Sequence, residues 1–432
     1  MVQSPRHLTR QILRAARQGA IDDARLIELL LDHLAEVCPD CRHEIAAEGE
    51  GEIPLTAYRE AVRRVRRSGR VLRARKALKE ASHELPDLVN GLRGLSAGQR
   101  LLLVRNAPER YVQPLLVEAL FVEARSCLPA DPEGSLAWAE TAGGIAALYP
   151  EPHPPHDVRA LAYQANAHRA AGDFDRARSL FREARTLAAE HEVADADLHA
   201  ELHSFLGSLW TDLRHFGRAG RHLDEAAELY LVLDEEDSLA RVYMQLSNLR
   251  TCQGDLEGAL EADRAAIDLL DARSHPRLYL AARFNYAYDL VEAEEWAAAR
   301  EVLAEDEALY REHADRHAQI RGTWLQGRIA TATGAWAEAD EALRIARDHF
   351  ARQEHGFNAA LACLDLAALH HRAGRWDEVQ EAASQAVRLF EAYEVHREAL
   401  AALGLVQDAA RRRALDAETL QRVTSLLQRT QR

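Results

Sequence analysis

Two cysteines separated by two residues, Cys38 and Cys41 in the string EVCPDCRHE, form the pair best spaced to act as one chemical unit. Around a tight turn both thiolates can face a single metal ion, with amide protons of the reversed chain directed at the sulfurs. His33 stands on the helical run entering that turn, about one and a half turns before Cys38. Two candidates stand for a fourth ligand: His7 upstream, and His43 just past the turn. A tetrahedral set of two histidines and two cysteines suits zinc, and four protein ligands make the site closed and structural, with no open position for water. Such a staple meets a physical need, because a helical unit of about 50 residues buries little surface by itself. No βαβ pattern surrounds the pair, which argues against a redox role. The remaining cysteines, at 127, 252 and 363, are far apart in sequence.

A second concentration of chemistry is electrostatic. Ten basic side chains lie between residues 59 and 79, among them Arg63, Arg64, Arg66, Arg67, Arg70 and Arg73, against one acid, Glu60. That density is the footprint of a polyanion or an acidic partner. Val62, Val65 and Leu72 make a narrow apolar stripe at helical spacing, so the segment reads as a helix with one buried edge. No aromatic residue is interleaved to stack on bases. Docking on this chain's own acidic portion uses the same charges as well as a phosphate backbone does.

Strings that would signal catalysis are missing. There is no phosphate loop, nucleophile elbow or glycine-rich dinucleotide fingerprint. His199 and His203 share a helix face in HAELH, but Glu201 is not next to His199 as a metalloprotease helix requires. The expectation is a chain that binds and does not catalyse.

The elements that position these groups follow from a repeat. Segments such as AGDFDRA, TGAWAEA and AGRWDEV share a helix-break-helix grammar, and their anchors Phe174, Phe216, Leu256, Trp296, Trp336 and Trp376 are spaced by 42, 40, 40, 40 and 40 residues. Three residues after each anchor comes Ala177, Ala219, Ala259, Ala299, Ala339 or the larger Val379; nine before it comes Ala165, Gly207, Ser247, Ala287, Gly327 or Ala367. Ten after it, alanine recurs except at Asp306. Small residues belong where two antiparallel helices cross most closely, and the anchor is expected to plug the turn between them. Gly172, Gly254, Gly334 and Gly374 fall where the first helix should end. A weaker copy precedes, with Pro108 to Cys127 as first helix and Pro132 to Leu148 as second.

This pattern resembles the tetratricopeptide repeat (TPR) family over about residues 156–396, with a unit near 40 residues where the family's usual unit is near 34. The resemblance implies an all-α, right-handed α-solenoid whose first helices line a concave groove, with residues eight and fifteen before each anchor facing into it. Those are Arg159 and Asn166, Glu201 and Ser208, Arg241 and Asn248, Ala281 and Tyr288, Arg321 and Arg328, Leu361 and Ala368. The asparagines would hydrogen-bond a ligand backbone and the arginines pair with its carboxylates. The stretch from about residue 5 to 48 resembles the zinc-binding anti-sigma factor domain, although four residues separate His33 from Cys38 where that family has three. That likeness implies His7 as the first ligand and docking on a sigma factor or another regulatory protein.

Composition bounds the reading. The 432 residues carry 54 basic and 69 acidic side chains, a net charge of −15, with 47% apolar residues. Residues 1–110 hold 20 basic and 15 acidic groups, whereas residues 111–432 hold 34 and 54. Few glycines and prolines exclude fibrous and low-complexity classes. The longest aliphatic run, Leu101 to Val104, is too short for a membrane helix, and the N-terminus lacks an apolar signal region, so a cytoplasmic protein without a disulfide framework is expected. The expected organisation is a zinc-stapled helical unit over 1–50, a basic connector over 51–105, about seven TPR-like helix pairs over 106–396, and capping helices over 397–432. The function expected is a bacterial-type adaptor or regulator for a peptide or protein, with structural zinc as cofactor. Its rival is a nucleic-acid-associated regulator that contacts phosphates through 59–79 and senses a ligand with the repeats.

Overall fold

The computed structural model describes residues 84–193, 195–352 and 356–392, and among these every regular element is a helix. The zinc candidates His7, His33, Cys38 and Cys41 with His43, the basic run including Arg63, Arg64, Arg66, Arg67, Arg70 and Arg73, and the closing helices expected over 397–432 lie outside the described residues. The chain divides into two compact units. One extends to Trp210 and takes in Gly217–Leu239, and the other holds Thr211–Phe216 with everything from Ala240.

In the first stretch the helices are α1 (Leu85–Leu92), α2 (Ala97–Asn106), α3 (Pro108–Tyr111), α4 (Pro114–Cys127), α5 (Pro132–Ala146), α6 (Pro154–Ala170), α7 (Phe174–Glu190), α8 (Ala196–Asp212) and α9 (Phe216–Leu233). Then follow α10 (Glu236–Gln253), α11 (Leu256–Leu269), α12 (Pro276–Glu292), α13 (Trp296–Glu305), α14 (Glu307–His313), α15 (Arg316–Thr333), α16 (Trp336–Arg352), α17 (Gly356–Arg372) and α18 (Trp376–Ala392). In the first unit α4 packs on α5, α5 on α6 and α6 on α7; in the second α12 packs on α11 and α13, α15 on α16, α16 on α17 and α17 on α18.

The sequence columns map onto this packing. All six second helices start at the anchor residue. Ala177, Ala219, Ala259, Ala299, Ala339 and Val379 have no exposed surface, and Ala165, Ser247, Ala287 and Ala367 nearly none. The anchors do not plug the turns as expected. Trp336 is 39% exposed and the others are half-buried, because the first residue of a helix sits at the rim of the contact while the residue one turn on lies at the crossing.

Where the chain turns, one backbone device recurs. The residue two before each anchor is left-handed in all six copies: Gly172, Gly254, Gly334 and Gly374 at φ between 71° and 84°, Arg214 at 58° and Glu294 at 62°. Asp173 and Asp255 then cap the second helix by accepting from the amides of Arg176 and Gly258 at 3.1 Å.

Two expected helices are broken. The span Pro108 to Cys127 divides into α3 and α4 because Pro114 drives Gln113 to extended φ −136°, ψ 132°. The second helix after Trp296 stops at Glu305, where Asp306 ends α13, precedes α14 and accepts from Arg283 Nε at 2.7 Å. Helices α1 and α2, within the span read as the basic connector, pack on α4 and α5 respectively. Arg100 of α2 donates to the Leu92 carbonyl and lies 3.4 Å over the Trp138 ring. None of the described helices is long and apolar enough to cross a membrane.

Candidate ligand-binding face

In the first unit, the first helices α4, α6 and α8 place a ladder of polar side chains on one face. Successive rungs lie about one repeat apart in sequence, so each is supplied by a different helix. Arg159 of α6 is its centre and is only 6% exposed. Its Nη1 donates to Glu118 Oε1 of α4 at 2.8 Å and its Nη2 to Asp197 Oδ2 of α8 at 2.8 Å. Its Nε lies 2.8 Å from Glu201 Oε2, and Asp195 is 3.9 Å from Nη2. Below it, Tyr163 donates to Glu201 Oε1 at 2.6 Å, and Arg125 of α4 bonds both Tyr163 and Glu201. His156, 3% exposed, bridges Glu118 through Nε2 at 2.9 Å and the Tyr149 hydroxyl through Nδ1 at 3.0 Å.

The electrostatics follow from that arrangement. Burial works against both guanidinium charges, yet the surrounding acids hold Arg125 and Arg159 above the usual arginine range. Burial also works against the Glu118 charge, and the bond from His156 and the charge of Arg159 outweigh it, leaving the carboxyl below its ordinary value. Asp197 moves the other way: burial and then the neighbouring Glu201 push it up to about 6. Four carboxylates, from Glu118, Asp195, Asp197 and Glu201, thus surround two guanidinium groups. The exposed part is acidic, since the Glu118, Asp195 and Asp197 side chains are 44%, 36% and 50% exposed and that of Arg159 only 7%. Arg159 is therefore engaged inside the protein, and its rim offers carboxylates to a ligand.

The second unit has its own version on α12, α15 and α17. Arg328 donates to Glu292 at 2.8 Å, and its Nε is 3.7 Å from Asp365, which in turn accepts from the Trp324 indole at 2.7 Å. The rings of Tyr288 and Trp324 flank the guanidinium at 5.6 and 5.8 Å. Burial, opposed by Arg328, raises Asp365 to about 6. Arg321 lies 4.0 Å over the Phe284 ring.

Of the remaining expected groove residues, Asn166 is buried and accepts from Arg169 at 2.7 Å, Asn248 is half-buried and Arg241 is exposed. The structure brings Arg159 and Glu201 together in the first unit, and Tyr288 and Arg328 in the second. Sequence reasoning placed Glu201 on this face but missed the other carboxylates that occupy the arginines, Glu118, Asp195 and Asp197 in the first unit and Glu292 and Asp365 in the second. Their only signal was spacing: Glu118 precedes Arg159 by 41 residues and Asp197 follows it by 38.

The HAELH string forms no joint site. His199 Nε2 lies 2.7 Å from the Val193 carbonyl, while His203 Nδ1 lies 3.4 Å from His222 Nδ1. Among the described residues, no group of three or more histidines, cysteines and acids converges as metal ligands would.

Neither a protein-family model nor a curated protein matches the sequence. Among solved structures, the chain is similar to a Rap protein complexed with competence and sporulation factor, at 16% identity and a TM-score of 0.52 over 73% of this chain and 87% of that one. It is also similar to aspartyl phosphate phosphatase F from Bacillus subtilis, at 13% identity and a TM-score of 0.49 over 92% and 97% of the two chains. A third is the signal transduction ATPase with a tetratricopeptide repeat sensor from Pyrococcus horikoshii, at 12% identity and a TM-score of 0.49 over 88% of this chain and 53% of that one. The likeness to the Rap protein shows the fold, and the packing of successive helix pairs described above is the TPR-like arrangement.

Proposed function

We propose that this chain is a non-enzymatic TPR-like adaptor or regulator that takes a peptide or protein partner on its first-helix faces. The observation that carries the reading is the first-unit ladder, in which three helices hold a buried arginine against carboxylates that remain half-exposed. Fixing charged side chains on rigid helices in this way pre-organises a recognition surface. It favours a ligand with basic side chains, which would meet Glu118, Asp195 and Asp197. A neighbour of the same fold, the Rap protein, was solved complexed with competence and sporulation factor, which supports ligand binding as the use of such an array. The test is fluorescence polarisation of the full chain against peptide pools of matched length and opposite charge. Basic pools should bind and lose affinity with added salt, with binding weakened by Asp197→Asn and Glu118→Gln; equal binding of acidic pools would refute the acidic rim.

The N-terminal portion would add a structural zinc site of His7, His33, Cys38 and Cys41, with His43 as the competitor for His7, and a surface for a regulatory protein such as a sigma factor. A second reading rests on the basic run containing Arg63, Arg64, Arg66, Arg67, Arg70 and Arg73: nucleic acid held by its phosphates, with the repeats as ligand sensor. The steepness of the salt dependence separates them, because neutralising several phosphates makes the logarithm of affinity fall linearly with log salt at a slope near the number of contacts, steeper than a peptide on three rim carboxylates gives.

A further inference from the structure

Asp263 occupies a place that apolar side chains hold in the other copies. Seven residues after each anchor come Phe181, Leu223, Leu303, Leu343 and Ala383, all buried, and in α11 the residue there is Asp263, with no exposed surface. Opposite Leu223 and Leu343, Gly207 and Gly327 leave no room for a Cβ, since one would come within 3 Å of the leucine. In this copy Ser247 replaces the glycine, and a carboxyl replaces the leucine.

The donors around Asp263 are committed elsewhere. Asp289 of α12, 3% exposed, accepts from Ser247 Oγ at 2.8 Å and from Thr251 Oγ1 at 2.9 Å, both on α10. The Ser247 hydroxyl is the donor within reach of Asp263, but its one proton goes to Asp289, which leaves both Asp263 oxygens without a geometrically sound hydrogen bond and its carboxyl against that of Asp289. Glu292 adds negative charge from α12, and Arg264 on α11 supplies the positive charge that bears on Asp263, its Nε 3.3 Å from the Tyr286 hydroxyl. Two carboxylates in contact inside a core do not both ionise near neutrality. Burial first, then the charge of Asp289, lifts Asp263 far above the carboxylate range; burial also raises Asp289, and the two hydroxyls restrain that rise.

We propose that Asp263 and Asp289 share one proton and that this proton is a structural part of the second unit, holding α11 against α10 and α12. When it passes to a base in solvent, two buried carboxylates are left in contact and the joint opens. Folding takes up a proton that the unfolded chain has released, so stability from this pair is fully present below the ordinary carboxylate range near pH 4 and is lost progressively as pH rises from there through the folded value of about 9. The joint is also placed to affect ligand binding, because Asn248 follows Ser247 and Tyr288 precedes Asp289 in the chain.

The experiment is hydrogen exchange on the full chain, corrected for the intrinsic pH effect, at about pH 6 and about pH 9. In the wild type, protection of residues 240–292 should fall by about tenfold more than protection of α6 and α7. Asp263→Asn keeps the shape and donates to Asp289, and it should remove that selective loss. The double variant Asp263→Leu with Asp289→Asn keeps the Ser247 and Thr251 donors on an amide oxygen and leaves no carboxyl at the joint, and it should be equally insensitive, so a folding failure of the single variant leaves the question answerable. Uniform protection across pH in the wild type, or the same selective loss in both variants, overturns the proposal. Restoration of wild-type protection at alkaline pH by calcium alone also overturns it, by making the pair a cation site.

Discussion

Gly207 of α8 and Leu223 of α9 pack so closely that a Cβ on the glycine would stand 2.4 Å from Leu223 Cδ2 and 2.6 Å from its Cγ. Leu223 has no exposed surface, so it cannot swing away into solvent. Gly207→Ala should therefore destabilise the chain by about 1–3 kcal/mol, the usual cost of overpacking a filled core. Chemical denaturation reads this as a lower midpoint with an unchanged slope. Adding Leu223→Ala should recover little, because it trades the clash for a cavity.

The left-handed residue before each second helix gives a prediction of opposite sign. Glu294 holds φ 62° at a place where four of the six copies use glycine. An L side chain there costs about 1–2 kcal/mol, while a glycine loses about 0.5–1 kcal/mol more chain entropy on folding. Glu294→Gly should thus stabilise by up to about 1 kcal/mol, and Gly334→Ala should destabilise by about the same amount. Thermal melts of both variants check the pair, and destabilisation by Glu294→Gly would show that its side-chain contacts outweigh the strain.

These two sites show why the fold was readable. Helix starts, crossings and turns are each set within a few residues of an anchor, so spacing alone located the small-residue columns and the beginnings of six helices. The break after Glu305 was also signposted, since Asp306 stands where the other copies have alanine. The ladder was less legible because its contacts join residues about 40 positions apart. Arg159 looked free in sequence, and only the alignment of one helix beside the next reveals that Glu118 and Asp197 claim it. Asp263 was overlooked for a related reason: a single acid in a helix rich in Glu and Asp is unremarkable until its neighbours are known to be core.

The ladder's centre can be tested by removal. Arg159→Met would leave Glu118, Asp197 and Glu201 crowded without their shared cation, and Glu201 is almost fully buried. Removing one partner of a buried ion pair costs about 3–5 kcal/mol, and the half-exposed state of Glu118 and Asp197 puts the expected loss near the lower end. Arg159→Lys should recover only part of it, because one ammonium cannot reach Glu118 on α4 and both Asp197 and Glu201 on α8. Denaturation midpoints order the three proteins, and a variant as stable as wild type would remove the ladder's structural role.

Zinc should be found in purified full-length protein at one equivalent if the N-terminal set is a closed site. Cys38→Ser with Cys41→Ser should abolish it, while His7→Ala and His43→Ala distinguish the fourth ligand: one should lose metal and the other keep it. Atomic absorption with a thiol titration before and after chelation gives the count. Metal retained in the double cysteine variant would end the staple hypothesis.

Ligand binding by the first unit should depend on pH through Asp197. Burial and the adjacent Glu201 raise that carboxyl to about 6, so it is charged at pH 7 and largely protonated one unit below its midpoint. Its folded value lies above the unfolded one, so the charged form is the unfavourable one in the free protein, and stability from this group falls as pH rises through about 6. A basic ligand reverses that preference by supplying positive charge where Asp197 is half-exposed. Binding should then bring protonation down and release a fraction of a proton near pH 6, and affinity should fall several-fold from about pH 7 to about pH 5. Asp197→Asn should bind more weakly at the higher pH and flatten the profile below it, whereas Glu118→Gln should lower affinity across the range, since Glu118 stays ionised. Titrations in two buffers of different ionisation enthalpy measure the released proton, and a profile unchanged by Asp197→Asn would place the ligand away from this rim.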